Sequence, residues 1–79
     1  MSTKLHLRNV EDIKVKFGQR VKELRLAKGY SQEKLAEISD LDRTYIPGIE
    51  AGKRNVSLVV VEKIAKAFTI SISELLNKL

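Results

Sequence analysis

With 79 residues the chain holds one small domain, and at 43% apolar it is too hydrophobic for a disordered tail. The lack of Cys and the single His exclude a disulfide scaffold, a thiolate zinc site and a redox centre, so neither a metal nor another cofactor is expected; with no Trp, two Phe and two Tyr, the core must be aliphatic. The net charge of +5 points to a polyanionic partner, and it is unevenly spread: residues 1–30 carry a net +5, residues 31–52 a net −3 and residues 53–79 a net +3.

Residues 1–10 lack the apolar stretch of a signal peptide and are expected to form a loose arm carrying His6 on its surface. A first helix is expected from about Glu11 to Lys28. The alternation of Ile13, Val15 and Phe17 would also suit a short strand, but Phe17, Val21 and Leu24 follow at the spacing of one helical face. Gly29 supplies the positive φ that ends this helix. Ser31 caps a second helix, Gln32–Ser39, with Leu35, Ala36 and Ile38 inward. Asp40 adopts the left-handed conformation more easily than most residues and fits the turn that follows.

Asp42 reads as the cap of a third helix, Arg43–Ala51, with Ile46 and Ile49 inward and Gly52 closing it. Pro47 conflicts with that start, because a proline inside a helix costs ~3 kcal/mol. Either the helix bends there or it begins later, near Tyr45. Ser57 caps a fourth helix, Leu58–Phe68, with Leu58, Val61, Ile64, Ala65 and Phe68 inward. Ser71 and Glu74 have the form of a capping box opening a fifth helix, Ile72–Leu79, with Leu75, Leu76 and Leu79. The fold class is therefore all-α, one domain over residues 11–79. The longest uninterrupted apolar run, Leu58–Val61, is far below the ~20 residues needed to cross a bilayer, so a cytoplasmic protein is expected.

Two short helices around a three-residue turn suggest a helix-turn-helix, here about residues 32–51. The residues sharpen the reading. Ser31-Gln32-Glu33-Lys34-Leu35-Ala36, with Leu41, Ile46 and Ile49 on the apolar positions and Asp40 in place of the usual turn glycine, resembles the helix-turn-helix of the Cro and phage-repressor-like (XRE) family. The likeness covers about residues 13–76 and implies a compact five-helix domain like that of the lambda repressor. It also implies a structural salt bridge between Arg25 and Glu50. The run Leu41-Asp42-Arg43-Thr44-Tyr45-Ile46, then Gly48-Ile49-Glu50, Arg54-Asn55 and Ser57-Leu58, is similar to the controller proteins of restriction–modification systems. That resemblance implies a homodimeric regulator that binds palindromic double-stranded operators upstream of its own gene, activating and then repressing. Activation implies RNA polymerase as a further partner.

The residue chemistry points the same way. Gln32 can offer its amide to a phosphate beside the free N–H groups of a helix start. Arg43 can pair bidentately with guanine O6 and N7, against an alternative as a surface ion pair with Glu33 or Asp42. Thr44 suits a base or a thymine methyl, and Tyr45 a phosphate or a flexible base step, or else the rim of the core. Lys53, Arg54 and Asn55 form a polar loop that can follow the DNA, and Ser57 can serve as cap and phosphate ligand together. Lys4 and Arg8 of the arm can reach DNA as well.

Val59 and Val60 cannot both face the core with Val61, and Ile70, Ile72, Leu75, Leu76 and Leu79 add more apolar surface than so small a core requires. A two-fold dimer built on residues 58–79 follows, with recognition helices ~34 Å apart. An enzyme is not expected, since no nucleophile–base set, paired metal ligands or phosphate-binding glycine loop is present. The remaining alternatives are a phage-type Cro or repressor, and an antitoxin whose main target is a protein.

Overall fold

Long helices need sequences without breakers, and residues 2–27 contain no proline and a single glycine. The computed structural model describes the backbone of residues 2–77 and 79, and the side chains of residues 13–77 and 79. Its first helix, α1, runs Ser2–Ala27. It therefore starts well before Glu11, and the segment expected as a loose arm has a helical backbone. The short-strand alternative is excluded for the same reason. The expectations for Lys4, His6 and Arg8 fall on side chains outside the described residues.

Four short helices follow: α2 (Gln32–Ile38), α3 (Tyr45–Glu50), α4 (Leu58–Ala67) and α5 (Ile72–Leu75). Three of them start at a serine whose hydroxyl accepts from the backbone N–H three residues on: Ser31 from Lys34, Ser57 from Val60 and Ser71 from Glu74. At Ser71 the box is complete, because the Glu74 carboxylate returns to the Ser71 backbone N–H. The α3 start is different. Thr44 makes no side-chain cap, and the helix begins at Tyr45, not Arg43. Pro47 is then the third helical residue, where no intrahelical N–H bond is required, so it neither bends nor breaks α3.

Helices α1 to α4 all end in one pattern. A residue with positive φ allows its own N–H and that of the next residue to reach back to carbonyls of the last turn. Gly29 (φ 73°) and Gly52 (φ 74°) do this after α1 and α3. Asp40 (φ 56°) does it after α2, as its side chain suggested, and Thr69 (φ 61°) after α4, where the sequence offered no signal. The turn at Asp40 is tied down by Lys63 on α4, whose Nζ donates to the Asp40 carbonyl at 3.2 Å.

The core is aliphatic apart from Phe17 and Phe68, with Val21, Leu35, Ile46, Ile49, Ile64 and Leu75 shielded from solvent. Each such side chain contributes ~1.5–3 kcal/mol by leaving water. Several expected inward positions are corrected. Ile38 is 37% exposed, while the next residue, Ser39, is buried with its hydroxyl donating to the Leu35 carbonyl at 2.6 Å. Leu58 is 80% exposed because it lies at the solvent end of α4, and Val60 is buried in its place. The fifth helix stops at Leu75 rather than Leu79, and of its predicted apolar trio only Leu75 is buried; Leu79 packs partly on the core and Leu76 is exposed.

Two features of α1 orient the other helices. Arg20 donates to the carbonyls of Glu74 (2.8 Å) and Leu75 (3.2 Å), satisfying the open end of α5 with a cation. At Gly18 a methyl group would stand only 2.2 Å from the Ile49 carbonyl oxygen, so α1 and α3 cross at backbone contact. Gly18→Ala should therefore lose about 2 kcal/mol of stability, because overpacking against a backbone outweighs the gain in helix propensity. A urea titration checks this, and a more stable variant would contradict the close crossing. No helix among the described residues is long and apolar enough to cross a membrane.

Candidate nucleic-acid interface

The turn between α2 and α3 is built around Asp42. Its Oδ1 accepts from the Thr44 N–H at 2.9 Å and from the Thr44 hydroxyl at 2.7 Å. The backbone bond first, then the hydroxyl bond, hold the Asp42 carboxyl below its usual value of 3.8, aided by the positive charges of Arg43 and Arg54. Because the folded value lies below the unfolded one, the ionised turn favours the native state above about pH 4 and loses that advantage as pH falls through the folded value. The stability gap between wild type and Asp42→Ala should thus close below about pH 4. Thermal unfolding across pH tests this, and a gap that persists at pH ~2 would refute it.

This turn leaves Arg43 and Thr44 exposed immediately before α3. Among the described residues Arg43 forms no ion pair, neither with Glu33 nor with Asp42. The Thr44 hydroxyl proton is given to Asp42, so toward a ligand this oxygen is an acceptor and the methyl an apolar contact. Tyr45 is half-buried and packs against the rim of the core. Lys53 and Asn55 are exposed on the loop after α3, and Arg54 is half-buried with its guanidinium carbon 3.9 Å from the centre of the Tyr45 ring. Ser57 is committed as the α4 cap through its oxygen, at 3.2 Å from the Val60 nitrogen. Pro47 is exposed on α3 and offers no hydrogen bond from its side chain.

Behind this surface lies a buried polar cluster. Arg25 Nε and Nη2 donate to the two oxygens of Glu50 at 2.7 and 3.0 Å, and Arg25 Nη1 donates to the Tyr30 carbonyl at 2.9 Å. The fork joins the end of α1 to the end of α3. Hydrogen bonding to Glu50 raises the Arg25 pKa above its usual value, so the guanidinium stays charged. Gln32 Nε2 also donates to Glu50, at 3.0 Å. One N–H of the amide expected to meet a phosphate is thus held by Glu50, and the second remains for a ligand.

The acidic character of residues 31–52 also finds an explanation. Two of its acids meet cations from outside the segment: Glu50 is bound by Arg25, and Asp40 lies 3.6 Å from Lys63. Most of that negative charge is therefore neutralised by neighbours, while Arg43 and Lys53 stand exposed. Residues that sequence reasoning did not single out are Gly18, Arg20 and Lys63, which hold the helices in place. An isolated glycine inside a helical pattern is a signal of close packing, and Gly18 carried it.

The expected dimer surface divides in three. Val60 and Leu75 are buried within the protomer and are removed from it, because the α4 and α5 cores claim them. Ile70 and Leu79 are half-buried against the core. Val59 is 61% exposed, and Ile72 (39%) and Leu76 (38%) are exposed with it; Leu58 joins them.

Comparison with known proteins places this arrangement. A family profile described as "Helix-turn-helix" matches residues 21–75. The control protein C.MunI of Mycoplasma sp is 52% identical over 69 residues, covering 86% of this chain and 93% of that protein. The crystal structure of the restriction–modification controller protein C.AhdI from Aeromonas hydrophila matches with a TM-score of 0.78 and 57% identity, over 82% of this chain and 94% of that one. The biofilm master regulator SinR, solved in complex with DNA, matches with a TM-score of 0.72 and 35% identity, over 77% of this chain and 98% of that one. The chain belongs to this helix-turn-helix family, in the company of restriction–modification controller proteins.

Proposed function

We infer that the chain is a sequence-specific DNA-binding transcription regulator, and that it acts as the controller protein of a restriction–modification system. The observation that carries this reading is the exposed Arg43 just before α3, without an ion-pair partner among the described residues, beside Thr44 and the cationic loop Lys53–Arg54, on a helix-turn-helix scaffold. The arginine reads guanine edges, while Lys53, Asn55 and the free N–H of Gln32 neutralise or bond phosphates and set the register. Thr44 and Arg54 complete the contact, with Tyr45 at its edge beneath Arg54, and Ser57 lends its hydroxyl to the DNA backbone as well as to α4.

The working unit is a homodimer. Exposed Leu58, Val59, Ile72 and Leu76 form apolar surface that a second copy covers, and the two-fold sets two recognition helices one DNA turn apart, ~34 Å, on a palindrome. Bound upstream of its own gene, the dimer activates through RNA polymerase at low concentration and represses when a second site fills. This is binding chemistry in the cytoplasm, on the nucleoid, not catalysis.

A mobility-shift titration on the DNA upstream of its own gene, with excess random duplex at ~150 mM salt, tests the reading. A discrete complex that survives the competitor, followed by a second at higher protein, is expected. Binding that disappears with competitor would leave only non-specific electrostatics and favour a protein target instead.

A further inference from the structure

Arg54 springs from an irregular loop, yet its side chain lies along α3 with its charged end on an aromatic ring. Its guanidinium lies face-on to Tyr45, 3.9 Å from the ring centre. Its stem passes over Gly48, where the Arg54 Cδ would lie 3.7 Å from a methyl group, at contact distance, so the stem runs along the surface of α3. Farther back, Arg54 lines an apolar cavity of about 320 Å³ with Ile13, Phe17 and Val61. The ring beneath it does not move freely, because Tyr45 is itself packed against the core from the first turn of α3. A cation over an aromatic face is attracted by the ring quadrupole, and the attraction needs the ring, not the hydroxyl. A free arginine samples many rotamers, and one already laid along a surface loses less freedom when it meets a ligand.

We propose that Tyr45 is a positioning residue for Arg54: its ring fixes the loop cation against α3 in the free protein, so that recognition helix and loop meet the duplex as one preformed unit. This rests on the DNA-binding reading above. It differs from a direct Tyr45–DNA contact in what it requires of the side chain. A direct phosphate contact depends on the phenolic hydroxyl, whereas the positioning role depends on the aromatic face and on the presence of Arg54.

The test combines operator titrations with NMR of the free protein. In the wild type the Arg54 Hδ protons should be shifted upfield by the Tyr45 ring current. Tyr45→Phe should keep that shift, and Tyr45→Leu should abolish it while the methyl signals of Ile46 and Ile49 report an intact core. Tyr45→Leu should weaken operator binding roughly 3- to 10-fold, and Tyr45→Phe should recover most of that loss. In an Arg54→Ala background, Tyr45→Leu should add almost nothing. Three results would overturn the proposal: an unshifted Arg54 in the free wild type, a Phe variant as weak as the Leu variant, or the same Tyr45→Leu loss with and without Arg54. If the wild type formed no discrete complex with any operator, the DNA-binding reading would fall and this role with it, even with the upfield shift present. A discrete wild-type complex with any of the three contrary results would remove the positioning role alone.

Discussion

Glu50→Ala should cost the domain about 3–5 kcal/mol, enough to abolish most of what a core of this size supplies. The Arg25 and Glu50 side chains are only 10% and 5% exposed, and Glu50 is the acceptor for Arg25 Nε and Nη2 and for Gln32. Without that carboxylate the guanidinium keeps, among the described residues, a single partner, the Tyr30 carbonyl, and is left charged in a space that water reaches poorly. The loss measures the stranding of Arg25, not the value of the pair. Replacing both partners by apolar side chains, Arg25→Met with Glu50→Leu, should therefore recover much of it. Equilibrium unfolding in urea separates the cases. A single variant within about 1 kcal/mol of wild type would mean that Arg25 finds water or another acceptor.

Arg43→Ala should weaken operator binding roughly 5- to 150-fold per half-site, the loss of one bidentate arginine–guanine contact at ~1–3 kcal/mol. Discrimination at one base pair of each half-site should relax in parallel. Stability should change little, because Arg43 is exposed and makes no ion pair among the described residues. Arg43→Lys should not rescue specificity, since an ammonium keeps the charge without the planar fork. Titrations on operator and random duplex, side by side, decide the point. Equal losses on both would make Arg43 a phosphate contact.

Much of the fold was legible because its signals are local. Ser31, Ser57 and Ser71 announce helix starts through one side-chain bond each, and Gly29 and Gly52 announce ends through a conformation that other residues resist. The Thr44–Tyr45 boundary was harder. Asp42 bonds to Thr44, but as a turn two residues long rather than as a cap, and the two uses of an aspartate look alike in sequence. Thr69 carried no signal at all, because a β-branched residue at positive φ is imposed by the packing on either side of it.

The candidate binding residues were readable as types and positions, while their roles toward one another were not. Nothing in the spacing of Tyr45 and Arg54 says that one covers the other, or that Gln32 gives an N–H to Glu50. Such pairings depend on how the loop after α3 turns back along that helix and on how α2 packs against α3, neither of which is a property of neighbours along the chain. The same is true of the apolar excess. The sequence alone determined that this is an all-helical domain with a helix-turn-helix and more apolar side chains than one small core requires, because periodicity and caps are properties of neighbours along the chain. Only the tertiary structure decided which of those side chains the protomer keeps: Val60 and Leu75 went inward and Leu58 and Val59 stayed out. The physical reason is that a helix has one phase, set by the helices it packs against, and that phase assigns every residue on it to core or surface at once.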